Sequence, residues 1–302
     1  MNTKISKKTE LVVNYHITEA CNFKCSYCFA KWNKDTRELL HNETAISKLM
    51  DEITKLQSLL NQKYITNFKN IRLNLVGGET FLYKKQVLTI IKEAKKRGFA
   101  LSAITNGSKL DNQLIELLGT NFCSVGFSVD SINETTNLQI GRSEKNKAMD
   151  VLRILSDIKK LRQINPNIDI KINTVVSSLN HNESLSTFIM DVKPSKWKIF
   201  KVLPSVTNAY SITNNDFLAF LARHQHHNEF MFSEDNDEMT DSYLMIDPLG
   251  RFFQNSTQGD GYIYSKPIVE IGIDTALGQI NFDITKFFER YQQKSISIIN
   301  IA

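Results

Sequence analysis

Strand-like and helix-like segments alternate along the first two-thirds of this chain, and that alternation leaves few folds open to it. β-Rich runs recur at "LVVNYH" (11–16), "IRLNLV" (71–76), "FALSAIT" (99–105), "FCSVGFSV" (122–129), "IDIKINTVV" (168–176) and "KWKIFKVL" (196–203), dominated by β-branched and aromatic residues. Between the first two, "ETAISKLMDEITKLQSLLNQ" carries Ile46, Leu49, Met50, Ile53, Leu56 and Leu60 at helical spacing, which predicts one amphipathic helix. Further helices are expected at 84–97, 110–118, 145–164 and 182–192. Repeated β-α units imply a parallel sheet or barrel, and these are fewer than the eight of a closed one. The expected fold class is α/β: a partial (βα)6 TIM-like barrel over residues 11–204, after a short polar segment at 1–10. Function is expected at the C-terminal strand ends.

Beyond residue 205 the alternation is expected to stop. There "NDFLAFLARHQHHNEFMF" reads as helical, and "DSYLMIDPLGRFFQNS" as a hairpin turning at Pro248-Leu249-Gly250. Residues 205–302 are expected to be a C-terminal extension covering the barrel mouth. The opening "MNTKISKKTE" lacks the apolar region of a signal peptide, and no apolar run reaches the length of a membrane span. The expected location is the cytoplasm, as a monomer with no membrane partner. A net charge of +5 suits an anionic ligand. The basic residues are dispersed rather than gathered in a tail, so a small phosphorylated molecule fits as well as nucleic acid.

"HITEACNFKCSYCFA" (16–30) holds three of the four cysteines, Cys21, Cys25 and Cys28. They follow the first strand, in a loop, where barrel active sites lie. Reducing conditions keep such thiols free for metal. Spacings of four and three residues let one compact loop turn all three thiolates inward, and thiolates are the usual ligands of iron–sulfur clusters. Three ligands on a four-iron cube leave one iron open to a small molecule. A structural zinc, to which His16 could add a fourth ligand, and three unrelated cysteines are the other readings, but zinc sites more often pair two Cys-x-x-Cys units at a distance. Phe29, directly after the last cysteine, favours the cluster.

"NLVGGETF" ends the second strand with Gly77, Gly78 and Glu79. Glycines let a ligand approach the backbone, and a carboxylate can accept from an ammonium. "ITNGS" (104–108) and "FSVDS" (127–131) end the next two strands, offering Thr105, Asn106, Ser128 and Asp130. Taken singly, each is more often turn chemistry. Lys171 with Asn173, and Lys196 with Lys198, are spaced so that each pair faces one side of its strand. Two such pairs on neighbouring strands would make a phosphate clamp; solvated strand-edge lysines are the rival reading. His224, His226 and His227 in "RHQHH" are expected on a solvated helix face, and Cys123 as a small buried hydrophobe.

The cysteine spacing followed by an aromatic resembles the radical S-adenosylmethionine superfamily. "VNYHITEACNFKCSYCF", "GGETFL", "SVDS…IGR", "KINTVVSSLN", "KWKIFKVL" and "DSYLMIDPLGRFF" together resemble its viperin family, prokaryotic branch, from about residue 11 to about 290. The resemblance implies a partial (βα)6 barrel that makes 3′-deoxy-3′,4′-didehydro nucleotides, chain terminators in antiviral defence, from a nucleoside triphosphate. It implies a [4Fe-4S] cluster on Cys21, Cys25 and Cys28, and S-adenosylmethionine held through its methionine part by Gly77, Gly78 and Glu79. Ser128 and Arg142 match positions for the cofactor's ribose and carboxylate; Phe29, Thr105, Asn106 and Asp130 line the same site. Lys171, Asn173, Lys196 and Lys198 match nucleotide-binding positions, as do Asn14, His16, Arg72 and Tyr243. Tyr243 and Lys171 are the catalytic candidates, a phenol being able to give up hydrogen late in the reaction.

A flavodoxin- or ferredoxin-like electron donor is implied, and no direct contact with nucleic acid. Arg72 and Lys196 stand where animal members have Lys and Arg, which keeps charge but changes hydrogen-bond geometry. Thr80 stands where the family commonly has Pro, and Val76 replaces a small polar residue. "QNSTQG" (254–259) differs in the region approaching the base, leaving a pyrimidine, CTP before UTP, as the expectation. The amphipathic N-terminal helix of animal members is not expected here, since the first strand begins near residue 11.

Overall fold

The structure, a computed structural model, describes residues 9–28, 38–203, 208–234, 240–255 and 262–291. In chain order, β1 (Glu10–His16) leads to α1 (Glu43–Thr54), α2 (Leu56–Tyr64), β2 (Asn70–Val76), α3 (Lys84–Lys96) and β3 (Ala100–Thr105). Then come α4 (Asn112–Asn121), β4 (Ser124–Ser128), α5 (Glu134–Ile140), a small hairpin of β5 (Ser143–Glu144) and β6 (Lys147–Ala148), and α6 (Val151–Ile164). β7 (Asp169–Val176), α7 (Ser186–Val192), β8 (Lys196–Lys201), α8 (Asn214–Arg223) and β9 (Met231–Glu234) follow. The chain closes with β10 (Leu244–Ile246), β11 (Arg251–Asn255), β12 (Tyr262–Pro267), α9 (Ile268–Ile271), α10 (Ile273–Leu277) and α11 (Ile284–Glu289). All the strand segments expected between residues 11 and 203 are present.

These elements form two compact units. Among the described residues the first comprises 9–20, 38–103, 240–255 and 262–291, the second 21–28, 104–203 and 208–234. In the first, the strand order is β12-β11-β10-β1-β2-β3. β10, β1, β2 and β3 run parallel, and the expected hairpin through Pro248 joins β10 to antiparallel β11. Leu11, Val13 and Tyr15 alternate with Asn14 and His16 along β1, and both sets are largely buried. Burial on two faces is what parallel strands under helices require. The expected amphipathic stripe is buried throughout, but Lys55 breaks it into α1 and α2.

The second unit carries the order β4-β7-β8-β9, all parallel. β7 alternates cleanly: Ile170, Ile172 and Thr174 are buried, while Lys171, Asn173 and Val175 are half-buried on the opposite face. α6 starts at Val151, later than expected, because Asp150 caps it by accepting from the Arg153 N–H at 2.9 Å. The residues before it make the β5–β6 hairpin, with Lys145 and Asn146 at φ 51° and 62°, the left-handed pair a tight hairpin turn demands. The alternation also runs further than expected: part of the segment read as helical after 205 is β9, which extends the sheet beside β8. Among the described residues no helix is long and apolar enough to cross a membrane.

Two expectations fail here. Cys123 is exposed and lies outside any strand, in the connection from α4, where its carbonyl accepts from the Asp169 N–H at 2.9 Å. His224 and His227 are buried; only His226 of the three faces solvent. His224 Nε2 accepts from the Leu185 N–H at 3.0 Å, satisfying a donor at the start of α7, and its Nδ1 lies 2.8 Å from the Phe220 carbonyl. Its ring stands edge-on to Trp197. Burial, aided by Arg223, pushes its pKa down to about 4. The unfolded chain titrates near pH 6.5, so the neutral ring's contribution is complete above that value and lost as pH falls towards 4. Acid unfolding curves are expected to show a loss on the order of 2 kcal/mol across this window, flattened in a His224→Gln variant.

Candidate active site

In the second unit the cysteine loop is held by backbone before any metal is considered. Lys24 N–H donates to the Gly141 carbonyl at 3.0 Å and Ser26 N–H to the Ile140 carbonyl at 2.9 Å. Gly141, with φ 87°, is the left-handed residue that ends α5 and lets the loop pass: a Cβ there would overlap the Lys24 carbonyl. Cys21, Cys25 and Cys28 are all half-buried. Cys21 Sγ receives the Phe23 N–H at 3.4 Å and the Asn106 amide at 3.9 Å. Asn106 also donates to Asn22 at 3.1 Å, so the end of β3 braces the loop. Thr105 is buried and caps this turn by accepting from the Gly107 N–H at 3.0 Å.

Burial pushes the Cys25 thiol up to about 11, against the pull of the nearby Arg142 guanidinium. A half-buried thiolate set of this kind needs cations, which iron supplies. Among the described residues no three His, Cys, Asp or Glu side chains are grouped as ligands of a single ion. A four-iron cube spreads its thiolates over separate corners and does not require that grouping. Three sulfur donors in one half-buried loop match the thiolate chemistry of a four-iron cluster. Phe29 lies outside the described residues.

Asp130 is fully buried. Its Oδ1 accepts from the Val175 N–H at 2.8 Å, and its Oδ2 from the Tyr27 hydroxyl at 2.7 Å and from Arg142 Nε. Both oxygens are thus engaged inside the protein. Ser128, half-buried at the end of β4, is in register with Asn173.

The same sheet brings the lysines together. Lys171 is the register partner of Lys196, and Asn173 that of Lys198, with all four half-buried on one face. β7 lies between β4 and β8, and β8 between β7 and β9, so these are not strand-edge lysines. Adjacent strands lie about 4.8 Å apart, within the reach of one polyphosphate. Lys198 forms an ion pair with buried Glu234 of β9, and the Lys196 ammonium sits 3.9 Å from the centroid of the Phe232 ring.

In the first unit, the segment after β2 pairs with the segment after β1. Gly78 N–H donates to the Thr18 carbonyl at 2.8 Å and Glu79 N–H to the Ala20 carbonyl at 2.9 Å. A Cβ on Gly77 would come within 2.5 Å of the Thr18 carbonyl oxygen, and one on Gly78 would overlap that of Ala20. Glu79 is fully buried, with the Phe81 N–H on its Oε1 at 3.1 Å. Glu38 clamps the facing segment, accepting from Thr18 Oγ1 at 2.8 Å and from the Glu19 N–H at 2.7 Å.

Asn14 and Arg72 belong to a polar ladder crossing β1, β2 and β3. Arg72 Nε donates to Glu10 at 2.7 Å and its Nη1 to Ser102 at 2.9 Å; Ser102 donates to Asn74 at 2.7 Å, and Asn74 to Asn14 at 2.8 Å. His16 is buried edge-on to Phe253, ring centroids 5.1 Å apart, and burial pushes its pKa down to about 3, leaving a neutral imidazole. Tyr243, half-buried just before β10, has the Arg290 guanidinium 3.1 Å from its ring centroid. Sequence reasoning missed Tyr27, Glu38, Asn74, Ser102 and Glu234. Asn74 and Ser102 were visible as polar residues at alternate positions of apolar strands; Glu38 and Glu234 carried no local signal.

Residues 15–177 match the Radical SAM superfamily. An S-adenosylmethionine-dependent nucleotide dehydratase of Psychrobacter lutiphocae is 55% identical over 296 residues, covering 98% of this chain and 99% of its own. A dehydratase of the same name from a Fibrobacter species is 39% identical, covering 93% of this chain and 88% of its own. The chain belongs to this family, the viperin family of radical SAM enzymes. Among solved structures, anSMEcpe with bound AdoMet superposes with a TM-score of 0.66 at 15% identity, covering 92% of this chain and 84% of that one. Streptococcus suis SuiB bound to S-adenosylmethionine gives 0.59 at 12%, covering 92% and 64%. At such identities the likeness concerns fold alone, and the fold is the α/β, partial TIM-like barrel class of radical SAM enzymes. Chain and family agree on S-adenosylmethionine as the cofactor this enzyme takes.

Proposed function

We propose that the enzyme dehydrates a nucleoside triphosphate, CTP first and UTP second, to its 3′-deoxy-3′,4′-didehydro analogue. The observation that carries this reading is the register-matched quartet Lys171, Asn173, Lys196 and Lys198 on one half-buried face, in a chain more than half identical to a named nucleotide dehydratase. A triphosphate brings about four negative charges and needs converging cations to replace its hydration. Three lysines gather on this face, and Lys198 is ion-paired to Glu234.

Cys21, Cys25 and Cys28 would hold the [4Fe-4S] cluster. Gly77, Gly78 and Glu79 would take the methionine amine of S-adenosylmethionine, Ser128 its ribose, and Arg142 its carboxylate. When bound, cluster and cofactor supply the one-electron chemistry that removes the ribose C4′ hydrogen atom. The 3′-hydroxyl then leaves as water with uptake of one proton and one electron, the electron coming from a flavodoxin- or ferredoxin-like donor. The protein's part is to anchor the phosphates so that the sugar is held still, and to exclude water. Asn14 and Arg72 belong to a prearranged polar ladder suited to the nucleoside, and the neutral His16 can accept or donate one hydrogen bond without bringing charge. Tyr243, contributed by the C-terminal extension, is the proposed late hydrogen or proton source. The product would act as a chain terminator in antiphage defence, made by a cytoplasmic monomer.

Anaerobic incubation with CTP, UTP, GTP and ATP in turn, scoring 5′-deoxyadenosine and a nucleotide lighter by one water, tests this directly. CTP is expected to give both products; absence of a dehydrated nucleotide with all four overturns the reading. Lys171→Ala is expected to raise the nucleotide KM about 10- to 100-fold, the worth of one charge-assisted contact, with iron content unchanged.

A further inference from the structure

Tyr27 lies between two of the cysteines, its ring in a small apolar cluster with Ile140 and Val202, flanked by Cys25, Val175, Leu179, Tyr210 and Ile212. The side chain is 6% exposed. A phenylalanine would fill that cluster equally well, so packing alone does not explain the hydroxyl. That hydroxyl donates at 2.7 Å to the carboxylate of Asp130, which is 0% exposed. Asp130 in turn is tied to the sheet, through the Val175 N–H at 2.8 Å on its Oδ1 and the Asn180 amide at 2.7 Å on its backbone carbonyl. It is tied to the α5 turn through Arg142 Nε. A single buried carboxylate therefore joins the cysteine loop, β7 and the α5 turn.

We propose that Tyr27 is a positioning residue for the cluster: its hydroxyl, bonded to Asp130, fixes the Cys25–Cys28 stretch on the sheet and damps the Asp130 charge close to Cys25. The inference rests on the reading of the cysteines as cluster ligands. The backbone bonds from Lys24 and Ser26 hold the middle of the loop, and Cys28 N–H donates to the Cys25 carbonyl at 3.1 Å to close its last turn; the Tyr27 bond ties that turn to Asp130. Charge near an iron–sulfur centre shifts its potential, and an uncompensated anion favours the oxidised form. Hydrogen-bond donation by Tyr27 weakens the field of Asp130, whereas Arg142 offsets it from the other side.

The test compares full-length chains reconstituted without oxygen. Tyr27→Phe keeps the ring and is expected to melt within a few degrees of the unaltered chain. Its iron should pass to a chelator about tenfold faster, the factor for losing one hydrogen bond to a charged group, and its cluster potential should move to more negative values. Asp130→Asn removes the charge but leaves an acceptor for Tyr27, so its potential should move the opposite way. A Tyr27→Phe protein with unchanged potential and iron-release rate overturns the proposal, whether or not the Asp130 variant folds. So does a shift of the same sign in both. A merely structural role for the hydroxyl would change melting without the opposed shifts in potential. Should the unaltered chain itself take up no cluster, it is the reading of the cysteines that fails.

Discussion

Cys25→Ala, reconstituted without oxygen, is expected to emerge colourless, with iron near background and no 5′-deoxyadenosine formed on adding reductant and S-adenosylmethionine. On the proposed assignment three thiolates are the whole protein share of the cluster's ligands, so losing one would leave two irons without a protein ligand. The fold should survive. The loop is pinned by the backbone bonds of Lys24 and Ser26 and by the Tyr27 hydroxyl, none of which uses the Cys25 sulfur. Its thiol packs at the border of the Tyr27 cluster, so truncation to Ala costs about 1 kcal/mol. Burial already disfavours the free thiolate at this position, so the metal-free chain holds a neutral thiol there and its loss removes no charge. Melting lowered by no more than a few degrees, with iron lost, is the expected pair of results. Iron and 5′-deoxyadenosine retained at the level of the unaltered chain would refute the ligand assignment.

What the sequence made legible follows from which signals are local. Strand periodicity placed Lys171, Asn173, Lys196 and Lys198 in same-facing pairs, because a strand's side chains alternate whatever surrounds it. That the two pairs would be register partners required β7 to lie beside β8, which chain order suggested. α5 went unforeseen although its ends were marked: Asn133 caps it, accepting from Thr135 at 2.9 Å, and Gly141 closes it. Seven residues are too few for a periodic stripe to register. The histidines of "RHQHH" misled because polarity was read as exposure. His224 is inside because one ring satisfies a donor and an acceptor of the backbone at once, a pairing that requires α7 to pack on α8. Tyr27 was hidden for the same reason, its partner Asp130 lying 103 residues away in sequence.

Gly78→Ala is expected to be nearly as damaging as loss of a cysteine, through geometry rather than chemistry. The added methyl would overlap the Ala20 carbonyl and approach the Glu19 carbonyl oxygen to 2.5 Å. Backbone can sometimes yield, but this backbone is held from both sides. Glu38 receives Thr18 Oγ1 and the Glu19 N–H, Thr18 receives the Ala20 N–H at 3.0 Å, and the Gly78 and Glu79 N–H groups bind Thr18 and Ala20. Relief means parting the two segments, at about 1–3 kcal/mol for an overpacked site, and moving Glu79 with them. S-adenosylmethionine affinity, measured by equilibrium dialysis on the full-length chain, should fall at least tenfold, about 1.4 kcal/mol, and melting should drop. Gly98→Ala separates crowding from backbone strain. Gly98 has φ 73° with nothing within 4 Å of its added Cβ, so that variant bears the left-handed penalty of about 1 kcal/mol and should bind the cofactor normally. Equal cofactor affinity in Gly78→Ala and the unaltered chain would show that the Gly77–Glu79 segment does not border the cofactor.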